Sequence, residues 1–420
     1  MEELWNRTTG EGSWTNTLCA CALVCSRWWA AARPFIFRYV IIRNSEHIHQ
    51  LARQIHHEPN IALWIRKLRF EGKSNPRRRF LFSTPQSTVK EDLDAWMYTF
   101  FSVIRSHLCN VKTLEIFGFK HLSQRREDYE AYARWILHLS TLDSVESLHL
   151  ARCELPPNAT TALIRAFSKL CKVSLTCVSF RGSNGAELAE MASMSGPSHL
   201  EGSPPVNLKG SVKYPVLYSP PRLTSFSVDN DLSAYIVLRL ELLKDWLCPR
   251  RLASSLQYLH LGGCLDWGTV AEFIAALGPS PAFHTLRICV EITEEERASC
   301  RFDISGLTNL KHFILDCPRT HLNAGIMECI CQLFTQVEIT DLDETTLRLV
   351  RTKGLDCVMA LDRFLCGEEF RKLKQLNVSI ADYSAEVQSW YVVKKAKELF
   401  QNMETKGISR VVDAMKAQMP

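Results

Sequence analysis

The chain has 420 residues, 46% of them hydrophobic, and 50 basic against 45 acidic side chains for a net charge of +5. That apolar share excludes a wholly disordered or fibrous chain, and the length exceeds one ordinary domain, so the chain must divide or repeat. The thin charge excess implies no nucleic-acid partner, and no apolar run approaches the ~18 residues that span a bilayer, so no membrane partner is expected.

The opening Met1-Glu2-Glu3 carries no basic region leading into an apolar core, so no secretory signal is expected. The 16 cysteines then read as reduced thiols in a cytoplasmic or nuclear protein.

In chain order, residues 17–40 begin with an apolar helix in which Leu18, Ala22, Cys25, Trp28 and Trp29 share one face. Pro34 is expected to stop or redirect it, with Phe35 and Phe37 alternating into an extended stretch. Trp28 and Trp29 beside Arg27 form a large amphipathic surface of the kind that marks partner contacts.

A short strand pattern then recurs, with apolar residues at positions 1, 4 and 6 and polar residues between. Copies begin at Ile65, Val111, Val145, Leu170, Leu223, Leu256, Phe283, Leu310, Phe334 and Leu373. Requiring non-aliphatic residues at positions 2, 3 and 5 leaves nine of the ten, against about three expected by chance. The intervals from Leu256 to Phe334 are 27, 27 and 24 residues, inside the ~20–29 range of leucine-rich repeats.

Helical stripes separate the strand patterns. Leu93, Trp96, Met97, Phe100, Phe101, Ile104 and Leu108 make one; Leu163, Ile164, Phe167 and Leu170 follow Asn158 as cap; Val270, Phe273, Ile274 and Leu277 stop before Gly278-Pro279. This alternation predicts an α/β fold, a leucine-rich-repeat-like solenoid of parallel strands with outer helices. The alternative is an ordinary two-layer α/β domain with closed edges.

Between Ser195 and Pro221, 14 of 27 residues are Gly, Ser or Pro, which predicts a loop insertion at about 181–221. Arg77 to Arg79 reads as a solvated basic loop. Near the end, Val387, Trp390, Tyr391, Leu399, Phe400 and Met403 make one helical pattern. Ile408, Val411, Val412, Met415 and Met419 make a second, so residues 381–420 are expected to be a C-terminal helical cap.

Leu18, the run Cys21-Ala22-Leu23-Val24-Cys25, Trp28, Ala31 and the pair Phe35 and Phe37 resemble the second half of an F-box as found in fungal F-box proteins. Pro59 to Phe70 resembles the first repeat strand of that family. The motif likeness covers residues 17–70 and extends further only as architecture. Met1 to Asn16 hold no Leu-Pro segment or acidic first helix, so the resemblance implies a truncated F-box that lacks half of its adaptor-binding surface. The expected organisation is a short helical F-box-like head at 1–45, the solenoid at 46–380 and the cap at 381–420.

The resemblance implies a substrate receptor of an SCF-type (Skp1–cullin–F-box) ubiquitin ligase. A Skp1-like adaptor would dock on Leu18, Val24, Cys25, Trp28 and Trp29, and an unidentified protein target would dock on the repeats. Positions 3, 5 and 7 of such repeats face the concave side, which gives His149, Tyr258, His260, Arg287, His312, Asp316 and Glu338 as target-binding residues. The other expectation is an adaptor-free repeat scaffold or inhibitor, with residues 1–40 packed as a cap.

No catalytic chemistry stands out. Cys19, Cys21 and Cys25 with His47, His49, His56 and His57 lack the paired spacings of zinc sites. Cys264 and Cys153 occupy position 9 of their copies, where leucine-rich repeats place a turn-bonding Cys or Asn. The chain carries no GxSxG, GxxxxGK[ST], GxGxxG or HExxH, so no enzyme, metal or cofactor is expected.

Overall fold

The computed structural model describes residues 11–72, 107–119, 138–155, 157–180, 222–229, 254–262, 280–289 and 306–317, the strands at 344–350, 376–381 and 409–411, and isolated residues between them. It separates into two compact units, residues 1–221 and 222–419.

The first unit opens with helices α1 (Glu11–Ala22) and α2 (Ser26–Ile36), then β1 (Tyr39–Ile42), α3 (Ser45–His57), α4 (Asn60–Trp64) and β2 (Lys67–Glu71). It continues through β3 (Thr113–Phe117), β4 (Ser147–Ala151), β5 (Glu154–Leu155), α5 (Pro157–Arg165), β6 (Lys172–Thr176) and β7 (Ser179–Phe180). Strands β1, β2, β3, β4 and β6 pair in that order, all parallel, and β5 pairs in parallel with β7.

The second unit contains β8 (Ser225–Asp229), β9 (Tyr258–Gly262), β10 (Thr285–Cys289), β11 (His312–Cys317), β12 (Glu344–Val350), β13 (Leu376–Ala381) and β14 (Ser409–Val411). These too pair parallel and in sequence order.

Parallel neighbours require a crossover, and parallel sheets are usually buried on both faces. Here the strands instead alternate between buried and half-buried residues, as in β2, β3, β4 and β8. The buried set is the predicted positions 1, 4 and 6: Ile65, Leu68 and Phe70 are 0% exposed, as are Val111, Leu114 and Ile116. One apolar face with a polar opposite is the arrangement of a parallel-strand, solenoid-like fold. Described members of the predicted helical stripes are buried: Phe100 meets Phe70 edge-on at 5.0 Å between ring centroids, and Ile104, Leu163, Ile164, Phe167, Ile274 and Leu277 are buried, while Leu93, Trp96, Met97, Phe101, Val270 and Phe273 lie outside the described residues.

Register follows the repeat numbering: Lys67, Thr113 and Ser147, each at position 3, lie side by side. The backbone repeats with them. The Arg66 carbonyl accepts from the N–H groups of Lys112 and Thr113 at 2.8 and 3.0 Å, and the Lys112 carbonyl accepts from Glu146 and Ser147 at 2.9 and 3.0 Å. After three strands the chain turns through a left-handed residue, Gly118, Arg152 and Cys177, with φ of 72°, 53° and 52°.

Several expectations are corrected. The N-terminal apolar stretch is two helices rather than one, because Cys25 is extended (φ −163°, ψ 166°) and starts α2 by accepting from the Trp29 N–H at 2.9 Å. Pro34 does not stop the helix; it sits inside α2, which runs on to Ile36. Asn158 is not the cap of α5, since Pro157 already begins it, using its fixed φ and missing N–H where neither costs anything.

A strand copy precedes the first one expected: Phe37, Val40 and Ile42 hold positions 1, 4 and 6, and β1 pairs with β2 in that register. The strand beside β11 is Glu344–Val350, not one starting near Phe334, so the sheet position assigned to Glu338 belongs to Thr346. Ser409–Val411 is a strand on β13 where a helix was expected. Residues 77–79, 181–221, Cys264, Phe334 and Glu338, and the rest of the C-terminal cap, lie outside the described residues.

Candidate functional site

Among the described residues no helix is long and apolar enough to cross a membrane, and no group of three His, Cys, Asp or Glu side chains could hold a metal ion. Two kinds of surface stand out: an apolar patch near the N-terminus and the polar strand faces of the two units.

The patch lies at the break between α1 and α2. Leu23 is 87% exposed, Val24 67%, Trp28 52% and Trp29 40%. Breaking the helix at 23–25 turns these side chains away from the packed interior, which takes only Ala22 and Ala32 from this region. Of the five predicted adaptor residues, Val24, Cys25, Trp28 and Trp29 are exposed together and Leu18 is half-buried. The patch is anchored from behind. Arg33, in the last turn of α2, places its guanidinium 5.1 Å over the Trp29 ring and 5.6 Å over Trp64 of α4, and it also pairs with Glu58. Leu23 belongs to the patch although the sequence pattern does not single it out, since within a continuous helix its position would not face Trp28.

On the second unit, β9, β10 and β11 bring together Tyr258, His260, Arg287, His312 and Asp316. Arg287 donates from Nε to Asp316. Burial alone would lower the Arg287 guanidinium, but Asp316 and a hydrogen bond to Tyr258 raise it above the usual arginine range. His260 Nδ1 lies 2.9 Å from Ser227 Oγ.

His260 and Asp316, two of the residues expected to contact a target, are only 7% and 6% exposed. His260 meets Ser227 and Asp316 accepts from Arg287 on the same face. His312 is half-buried, with the His284 ring 6.4 Å away in edge contact. His149 is on β4 of the first unit, with Nε2 3.0 Å from Ser147 Oγ.

The first unit's polar face is richer than the sequence pattern suggests. Lys67 bonds Glu115 at 3.0 Å and lies 4.6 Å from the Tyr39 ring centroid; the Tyr39 hydroxyl donates to Glu115 at 3.3 Å and accepts from Arg69 at 3.4 Å. Arg43 pairs with Glu71 at 2.9 Å. Arg69 and Arg152 both lie over Phe117, at 4.2 and 5.6 Å from the centroid. Lys67, Arg69, Glu71, Glu115, Phe117 and Arg152 stand at positions 3, 5, 7 and 8 of copies that the sequence locates, so applying the numbering to every copy would find them, whereas Tyr39 and Arg43 belong to the unexpected copy at Phe37.

Cys153 is structural. It is 1% exposed, its thiol donates to the carbonyls of Ile116 and Ala151 at 3.2 and 3.3 Å, and burial pushes its pKa up to about 11.

No family model matches the chain, and no curated protein resembles it closely enough to count as a relative.

Proposed function

We propose that this chain is a substrate-recognition subunit of an SCF-type ubiquitin ligase, with an F-box-like head and leucine-rich-repeat-like strands. The head docks on a Skp1-like adaptor through Val24, Cys25, Trp28 and Trp29, joined by Leu23 and the half-buried Leu18. The polar strand faces hold a protein target, and the chain itself performs no bond chemistry. Its compartment would be cytoplasmic or nuclear.

The observation that carries the reading is the exposure of Leu23, Val24, Trp28 and Trp29, four large apolar side chains close together in the chain. Leaving four large apolar side chains in water is costly, at roughly 25 cal/mol per Å², and is best explained by a partner that covers them. Had residues 1–40 served only as a cap, these rings would pack beneath Phe35 and Phe37 instead.

The test is co-purification with a Skp1-like adaptor, using wild type, Trp28→Ala/Trp29→Ala and Leu23→Ser/Val24→Ser. Truncating central aromatic anchors typically costs about 2 kcal/mol or more, about a thirtyfold loss of affinity. Retention of the adaptor by wild type and its loss from both variants supports the reading. Failure of the correctly folded wild type to bind leaves the adaptor-free scaffold.

A further inference from the structure

The polar face of the first unit has a surplus of positive charge at one place. Four cations stand around Phe117 and its neighbours, namely Arg43, Lys67, Arg69 and Arg152, against the carboxylates of Glu71 and Glu115. Arg43 takes Glu71 and Lys67 takes Glu115. Arg69 is left with the Tyr39 hydroxyl and the far oxygen of Glu71 at 3.9 Å, while Arg152 is exposed and pairs with no carboxylate among the described residues.

Burial works against the charge of Arg69, but Tyr39, Glu71 and Glu115 together raise its pKa, whereas Arg152, over the same ring, pairs with no carboxylate among the described residues. An anion at the Arg152 guanidinium would supply the missing counter-charge and receive forked hydrogen bonds.

The backbone at Arg152 sharpens the point. The turn imposes a left-handed conformation after the strand, which Gly118 meets without strain; Cys177 shows that the fold tolerates a side chain there, at a cost. The conformation is dictated by the fold, but an arginine is not, and a glycine would fit better. What arginine adds is the guanidinium over Phe117.

We propose that Arg152 and Arg69, seated over Phe117, form a binding site for an acidic peptide segment. Successive carboxylates of such a segment would supply the counter-charge that Arg152 lacks and reach Arg69 over the same ring. The nearby Glu71 and Glu115 disfavour a continuous phosphate backbone, which makes a peptide the better fit than a nucleic acid. The inference deepens the reading of the strand face as a target surface and does not depend on the adaptor.

The test is fluorescence anisotropy of labelled hexaglutamate, with hexaglutamine and oligothymidylate as comparison probes, on the full chain without adaptor. Hexaglutamate is expected to bind, to weaken between about 50 and about 300 mM NaCl, and to outcompete both comparison probes. Arg152→Gly and Arg152→Gln should each lose about tenfold in affinity. The glycine variant should do so with an unchanged or higher thermal midpoint, and Arg53→Gln on α3, which removes the same charge elsewhere, should bind like wild type.

Failure of hexaglutamate to bind, equal binding of hexaglutamine, tighter binding of oligothymidylate, or full binding by the Arg152 variants would each overturn the site. Because the adaptor is absent from the measurement, failure here leaves adaptor co-purification standing, and loss of co-purification leaves peptide binding standing.

Discussion

At the scale of single residues, burial decides which groups can act. Cys153 has a thiol pKa near 11, so almost none of it is thiolate at neutral pH, whereas Cys19, Cys25 and Cys109 are exposed. Brief iodoacetamide treatment of the native protein at neutral pH should label the exposed three and spare Cys153, as read by peptide mass mapping. Labelling of Cys153 at a comparable rate would contradict its burial. Arg152→Gly removes the left-handed strain and should stabilise the fold by about 1 kcal/mol.

His284 offers a pH test at the same scale. Burial, then the charges of His312 and Lys311, lower its pKa below the ordinary value of 6.5. The unfolded chain therefore binds the proton more readily, so this histidine's contribution is present above its unfolded pKa and is lost as pH falls from there through the lowered folded pKa. Stability should decline on acidification below about pH 6.5, and His284→Gln should make that decline shallower in urea titrations. An identical slope in the variant would remove His284 as the cause.

At the scale of elements, most strands were legible where three apolar residues kept their spacing, because the backbone of a parallel ladder imposes that period; the copy at Phe334 kept it too, yet the strand beside β11 is Glu344–Val350. Strand β1 escaped notice because Ile41 puts an apolar residue at position 5, and β12 because Thr345 stands at position 4. The break at 23–25 was invisible for the opposite reason: Leu23 and Val24 continue a helical apolar pattern, and no glycine or proline interrupts it. The exposed apolar group at 23–29 was therefore legible in composition and not in shape. On the polar faces, sequence placed the right residues on the right side but could not tell which would neutralise one another, so His260 and Asp316 looked available.

Turns are read at this scale too. A Cβ on Gly72 would lie 2.7 Å from the Gly118 carbonyl oxygen, in a turn where the Gly72 N–H also donates to Phe117 at 2.8 Å. Both neighbours are backbone and cannot give way cheaply. Gly72→Ala should destabilise the protein by about 2 kcal/mol, measurable as a lower urea midpoint at unchanged slope. At Gly306 a methyl group would meet nothing within 4 Å, so alanine there should be accepted with little change.

For the molecule as a whole, the head patch and the strand core are separable in energy. Leu23 and Val24 make little of the buried interior, so Leu23→Ser/Val24→Ser should leave the thermal midpoint essentially unmoved, within about 0.5 kcal/mol, while removing adaptor binding. A large drop in the midpoint would mean that the patch is structural rather than a docking surface.

The paired backbone bonds that join successive strands have a consequence for how such a chain can change over generations. The carbonyls of Arg38, Arg66, Lys112, Glu146, Thr224, Gln257 and His284 each accept from two consecutive N–H groups of the following copy, although their side chains share neither size nor charge. A seam made only of main chain is indifferent to what it joins. An in-frame duplication running from one of these carbonyls to the next would therefore meet its neighbours through bonds already in use. New binding surface could be gained by copying a segment first and altering its outward side chains afterwards.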